Sequence, residues 1–178
     1  MLSVLIPTLN SERQLVPTLA ALVPGSAEGL VREVILADGG STDGTAKIAD
    51  AAGCEFRPGP ANEDERLKAA AVAARSDWLL VLGPGSTLQE GWTREAAKFV
   101  EGAERAQEAE ICAAVFRVTL DDYGFSSRVK EVVAMARLVI TGRPQFEHGL
   151  LISKRLFGSR GRKARRVVML RTRVVIPA

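Results

Sequence analysis

One stretch limits the available folds more than any other: Glu33-Val-Ile-Leu-Ala-Asp38-Gly39-Gly40-Ser41-Thr42-Asp43-Gly44-Thr45. Val34 to Ala37 is a short apolar run rich in branched residues, the pattern of a strand buried on both faces of a parallel sheet. The strand ends at Asp38. Gly39 and Gly40 can adopt backbone angles closed to other residues, and Ser41, Thr42 or Asp43 can cap a helix that begins near Gly44. An acceptor group therefore stands at the carboxyl end of a strand beside a helix amino terminus. In open α/β sheets that crevice is where ligands bind, and Asp38 could accept from a ribose hydroxyl or a base N–H. A β-to-α turn that merely needs glycines would read the same way.

Length and composition bound the rest. With 178 residues, 47% of them hydrophobic, the chain suits one domain with a sizeable core. The start, Met1-Leu2-Ser3-Val4, has no basic leader region, and no apolar run approaches the roughly 18 residues of a membrane span. A soluble, cytoplasmic protein is expected. Cys54 and Cys112 have no metal-ligand spacing and read as two buried or idle thiols. The net charge of +3 conceals an asymmetry: residues 1–147 hold 15 Lys/Arg against 21 Asp/Glu, whereas residues 148–178 hold 9 Lys/Arg and no acid. Those nine, among them Lys154, Arg155, Arg160, Arg162, Arg165, Arg166, Arg171 and Arg173, could hold a diphosphate, an anionic membrane surface or nucleic acid. A solvated basic face, or pairing with the acidic body, is the plainer reading.

Along the chain, strands and helices alternate at the spacing of a parallel sheet covered on both faces. Ser3 to Ile6 reads as a strand ending at Pro7, followed by a helix from Ser11 or Glu12 to Leu22 that Pro24-Gly25 stops. A helix over Thr45 to Ala52 follows the Asp38 turn, and Cys54 to Phe56 is a short strand. Asn62-Glu63-Asp64-Glu65-Arg66-Leu67-Lys68 opens an alanine helix, with its acids favourably placed at a helix amino terminus. Asp77 to Leu82 is a buried strand, Gln89 to Arg105 a helix, Ile111 to Val118 a strand, Phe125 to Ile140 a helix, and Val167 to Ile176 a final strand. Asp121 and Asp122 precede the last helix, where capping or metal binding could use them.

Ser3-Val-Leu-Ile-Pro7-Thr8-Leu9-Asn10, followed by Asp38-Gly-Gly-Ser-Thr-Asp-Gly-Thr45, resembles the nucleotide-binding half of the family 2 glycosyltransferases. These are inverting enzymes of the GT-A fold, an α/β architecture with a mostly parallel central sheet and helices on both faces. The similarity continues through Ala69 to Trp78, Gly91-Trp92 and Gly149-Leu-Leu-Ile-Ser153. It implies one GT-A-like domain over residues 1–178, with residues 1–88 as the nucleotide-binding half and residues 89–178 as the acceptor side. By the same resemblance, Pro7, Thr8 and Asn10 line the base and ribose site, Asp38, Gly39 and Gly40 read the nucleotide, and Arg66 stands near the diphosphate. The acidic metal-binding motif of the family falls on Gly83-Pro84-Gly85-Ser86, so both metal positions are glycine and no residue is assigned as a metal ligand. Glu147 and His148 stand where the family carries Asp and Gln, and the pair could take a proton from an acceptor hydroxyl. The acidic segment expected after Phe157 is missing.

Three functions follow as expectations. The first is inverting transfer of a sugar from a nucleoside diphosphate sugar, a UDP-sugar for preference, to an acceptor hydroxyl, with Mg2+ or Mn2+ taking part only if ligands come from elsewhere. The second is nucleotide binding without the chemistry. The third is binding to an anionic surface, RNA or acidic lipid, through the basic C-terminal segment. Scarcity of stacking aromatics argues against nucleic acid, and peripheral contact with an anionic membrane is the form the third would take.

Overall fold

The computed structural model describes residues 1–120, 149–161 and 164–176. The expected helix from Phe125 to Ile140 and the residues Asp121, Asp122, Glu147, His148, Arg162 and Lys163 lie outside them. The amino-terminal part alternates as the hydrophobic pattern requires: β1 (Leu2–Thr8), α1 (Glu12–Ala27), β2 (Val31–Asp38), α2 (Thr45–Ala51), β3 (Glu55–Pro58), α3 (Glu63–Ala73) and β4 (Trp78–Val81). A two-residue strand, β5 (Thr87–Leu88), then precedes α4 (Trp92–Arg105) and β6 (Cys112–Leu120). The chain ends with β7 (Leu150–Ser153), α5 (Lys154–Arg160) and β8 (Arg166–Ile176).

The strands form one sheet in the order β3-β2-β1-β4-β7-β6-β8-β5. β3, β2, β1 and β4 are parallel, with Thr8 level with Asp38 and Leu5 level with Val81. β7 enters antiparallel to both β4 and β6, β8 runs parallel to β6, and β5 closes the edge antiparallel to β8. One core lies under α1, α2 and α4, built from Leu15, Leu22, Leu36, Leu80, Trp92 and Phe116 among others. The second lies under α3 and α5, around Leu5, Ile35, Leu67, Val81, Val115 and Phe157. β1, buried at every residue, has neighbours on both edges and a core on both faces, which is why its sequence is apolar but for Ser3 and Thr8, whose hydroxyls donate to Glu33 and Asp38.

Pro7 shows how the sheet tolerates a residue without an N–H. Leu5 turns its backbone toward β4, where its carbonyl accepts from Leu82 N at 3.0 Å, and Pro7 faces the same way two residues on. The β1–β4 pairing stops at Leu5 and Val81, so the missing donor falls where no strand remains to receive it. The strand thus continues through Pro7 to Thr8, paired on its other side with β2.

α1 corrects the sequence expectation. It runs through Pro17, Pro24 and Gly25 to Ala27 instead of stopping at Leu22. Tertiary packing overrides the local breakers: a Cβ on Gly25 would stand 2.6 Å from the Trp92 ring, and the Trp92 indole N–H donates to the Ala21 carbonyl at 3.2 Å. The missing side chain is the space into which the tryptophan fits. The three acids preceding the alanine helix fill the first turn of α3, as their chemistry favours, with Asn62 accepting from Glu65 N at 3.1 Å as the cap. Lys154 closes the other end, its Nζ donating to the Val72 and Ala74 carbonyls at 3.1 and 2.6 Å.

Gly149 brings β7 between β4 and β6. Its φ is +62°, and a Cβ there would stand 2.8 Å from Phe116 and 3.2 Å from Leu82. Gly149→Ala should therefore lower unfolding free energy by about 2–4 kcal/mol, combining left-handed backbone strain with overpacking. Urea denaturation followed by tryptophan fluorescence measures it, and an unchanged midpoint would contradict the packing described.

Candidate active site

The carboxyl ends of β1 and β2 lead into two loops that are tied together by one carboxylate. Asp38 is 2% exposed. One of its oxygens accepts from Thr8 Oγ1 at 2.9 Å and from Ser41 Oγ; the other accepts from Gly40 N at 2.9 Å and Ser41 N at 2.7 Å. Burial pushes the Asp38 carboxyl up, but these hydrogen bonds outweigh it and hold the group below its ordinary value. Asn10, in the left-handed region at φ 49°, continues the lattice: its N–H donates to Ser41 Oγ at 2.8 Å and its Oδ1 accepts from Thr42 N at 2.9 Å. Glu12 Oε2 accepts from Gly44 N at 2.9 Å, and Asp43 accepts from Glu12 N and Thr45 N, both at 3.0 Å.

Asp38 was expected to read the nucleotide. An ionised carboxylate offers about four acceptor positions, and all four are filled from within the two loops. A ribose hydroxyl or base N–H could reach this carboxylate only by displacing one of them. Beside it, Asn10, Gly40 and Thr42 are exposed.

Arg66 plays the matching part on the next loop. It is 5% exposed, and its Nε donates to the Ala37 carbonyl at 2.8 Å while one terminal nitrogen donates to Pro60 O and Ala61 O at 2.9 and 3.0 Å. The guanidinium sits against the glycine turn, since a Cβ on Gly39 would stand 2.9 Å from it. Gly40 has φ +100° and open space around it. The two glycines are thus needed for different reasons, the first by a neighbouring side chain and the second by its backbone angle. Arg66 was expected near a diphosphate; three of its five N–H groups donate to backbone carbonyls.

Gly83 and Gly85 follow β4. Gly85 takes φ +91°, and its N–H donates to Gln14 O at 3.1 Å and Thr18 Oγ1 at 2.9 Å, folding the turn down against α1. Ser86 Oγ is buried without a hydrogen-bond partner. A hard divalent cation needs several oxygen ligands, usually with a carboxylate among them. One hydroxyl and two glycines do not meet that need, and no group of three His, Cys, Asp or Glu that could hold a metal ion occurs among the described residues. This turn does not fit a cation. The basic C-terminal segment is partly neutralised by the body of the protein: Arg166 pairs with Glu108 at 2.9 Å and Arg155 with Glu110 at 3.3 Å. No described helix is long and apolar enough to cross a membrane.

These loops crown the parallel half of a sheet whose second half is mixed, and the family model for glycosyl transferase family 2 matches residues 3–146. The chain belongs to that family. Its fold is GT-A, shared with S. aureus TarS 1–349 solved in complex with UDP (14% identity, TM-score 0.69) over 99% of this chain and 60% of that one. The glucosyl-3-phosphoglycerate synthase of Mycobacterium tuberculosis, solved with Mn2+ and UDP-glucose, matches at 19% identity and TM-score 0.61 over 99% of this chain and 70% of that one. The chain therefore spans well under the full length of both. No curated protein matches it in sequence.

Acid titration tests the role given to Asp38. Its folded-state value lies below the unfolded one, so its contribution to stability is complete above about pH 4 and is lost as the pH falls through the folded value. Asp38→Asn should cost about 2–4 kcal/mol at neutral pH, by leaving buried donors facing an amide, and should flatten the acid limb of the stability profile. A variant with unchanged neutral stability would contradict the network.

Proposed function

We propose that this protein binds a nucleoside diphosphate sugar, a UDP-sugar by preference, above the carboxyl ends of β1, β2 and β4, and transfers the sugar with inversion to an acceptor hydroxyl. The observation that carries the reading is convergence. The Thr8–Asn10 loop, the Asp38–Thr42 turn, the Arg66 side chain and the Gly83–Gly85 turn, far apart in sequence, meet at one end of a family 2 sheet. In the reaction, the acceptor oxygen attacks the anomeric carbon as the bond from that carbon to the diphosphate oxygen breaks. The electron pair leaves with the diphosphate, and the acceptor proton passes to the Glu147 carboxylate, with His148 beside it in sequence. No step is routed through a cation, because among the described residues the turn after β4 offers none of the usual ligands.

That turn also favours a second reading, in which the crevice keeps a nucleotide and has lost the chemistry. One set of measurements separates the two. Purified protein is incubated with a panel of labelled UDP-sugars and acceptors, with and without EDTA, while UDP binding is followed by calorimetry. Turnover unaffected by EDTA is expected, and Glu147→Gln should reduce kcat by about a hundredfold or more with UDP affinity unchanged. Binding without turnover over the panel would support the second reading. Absence of UDP binding at millimolar concentration would overturn both.

A further inference from the structure

β6 and β8 run on beyond the carboxyl end of β4, and the overhang brings two arginines side by side. Val81, Leu150 and Val115 are successive register partners on β4, β7 and β6, and all three point into the core beneath α3 and α5. Arg117 lies two residues farther along β6, on the same face and exposed, one pleat past the last core residue. The same step along the chain from Val81 reaches Gly83. Two strand spacings, about 10 Å, separate the two positions. Arg173 is the register partner of Arg117 on β8 and shares its exposed face, while Phe116, Val118 and Val174 alternate with them into the opposite core. The Arg173 carbonyl accepts from Gln89 N at 3.0 Å, which fastens this strand to the segment leaving the Gly83–Ser86 turn.

Like charges directly opposite each other on paired strands repel. Elsewhere in the C-terminal segment such charge is offset: Arg155 and Arg166 pair with Glu110 and Glu108, and Glu95, which accepts from the Thr172 and Arg171 backbone N–H groups at 2.9 and 2.6 Å, is held below its ordinary value against burial by those hydrogen bonds and, least, by the charge of Arg171. Arg117 and Arg173 have no ion-pair partner among the described residues. A repelling cation pair held by sheet register, level with a turn that lacks metal ligands, suits an anion carrying at least two charges.

We propose that Arg117 and Arg173 bind the diphosphate of the nucleoside diphosphate sugar, supplying the positive charge that a divalent cation would otherwise supply. The inference rests on the donor reading given above and deepens it. Guanidinium groups pair with phosphate oxygens in bidentate fashion, and their charge does not titrate away. Fixed there, the pair stabilises the negative charge left on the diphosphate when the anomeric carbon–oxygen bond breaks and its electrons stay on the oxygen.

The test is calorimetry in EDTA on the full chain, with UDP, uridine and inorganic pyrophosphate as separate probes, for wild type, Arg117→Gln, Arg173→Gln and the double variant. Each single variant should lose about tenfold to a hundredfold in affinity for UDP and for pyrophosphate, with uridine affinity unchanged. Melting temperature without ligand should rise in each single variant, because repulsion is relieved; a merely structural role would lower it. Equal affinities in wild type and double variant would overturn this proposal and leave the donor reading standing. A fall in melting temperature with unchanged pyrophosphate binding would overturn it likewise. Wild-type protein that binds neither UDP nor uridine would overturn the donor reading and, with it, the ligand assigned to the arginines. Arginine-dependent binding to phosphatidylserine vesicles without binding to pyrophosphate would transfer the pair to a lipid surface and overturn its role toward a diphosphate.

Discussion

The crevice depends on one buried charge. Asp38 has no cation against it; its negative charge is met by two hydroxyls and two backbone N–H groups that belong to the β1 and β2 loops themselves. Burying a carboxylate costs several kcal/mol unless such donors surround it, so the loops can close only around the ionised group, and the ionised group is tolerated only where they close. Arg66 repeats the arrangement with the sign reversed, a buried guanidinium met by three carbonyls. Gly39 lies between the two, and the absence of its side chain lets the second loop rest on the arginine. A floor built from charges satisfied in this way is rigid, and rigidity is what a site that must hold a flexible donor needs.

The two halves of the sheet divide the work. The parallel strands deliver loops to one end, each loop braced by its neighbour. β6 and β8, parallel to each other, deliver an overhang, with side chains that continue past the covered core into the open. Where the halves meet, the turn after β4 is folded onto α1 by the bonds from Gly85 N to Gln14 O and Thr18 Oγ1. A turn of two glycines and one hydroxyl, with no carboxylate, does not offer the oxygen ligands that a hard cation needs.

Much of the parallel half was legible in the sequence because its signals are local. Val34 to Ala37 reads as a buried strand and Glu63 to Glu65 as the first turn of a helix, and each stands where the pattern puts it. Pro24-Gly25 misled because the reason it does not end α1 is Trp92, far along the chain, whose ring fills the space left by Gly25. β5 and α5 left no periodic trace; two and seven residues are too few for one. At the site, the motif marked the loop but not the closed set of donors around its aspartate, since which oxygens are occupied depends on Thr8 and Ser41 together. The pairing of Arg117 with Arg173 is set by strand register alone, which no inspection of either neighbourhood reveals.

The position of β8 has a consequence for how the chain reaches this state. It is synthesised after every other described strand, yet it lies inside the sheet, between β6 and β5. Until β8 is in place, β6 has a bare edge and β5 has nothing to pair with, the kind of open template that invites association with other chains. Earlier strands can assemble from near neighbours, but the sheet waits for residues 166–176 to insert, a contact between distant parts of the sequence that slows folding.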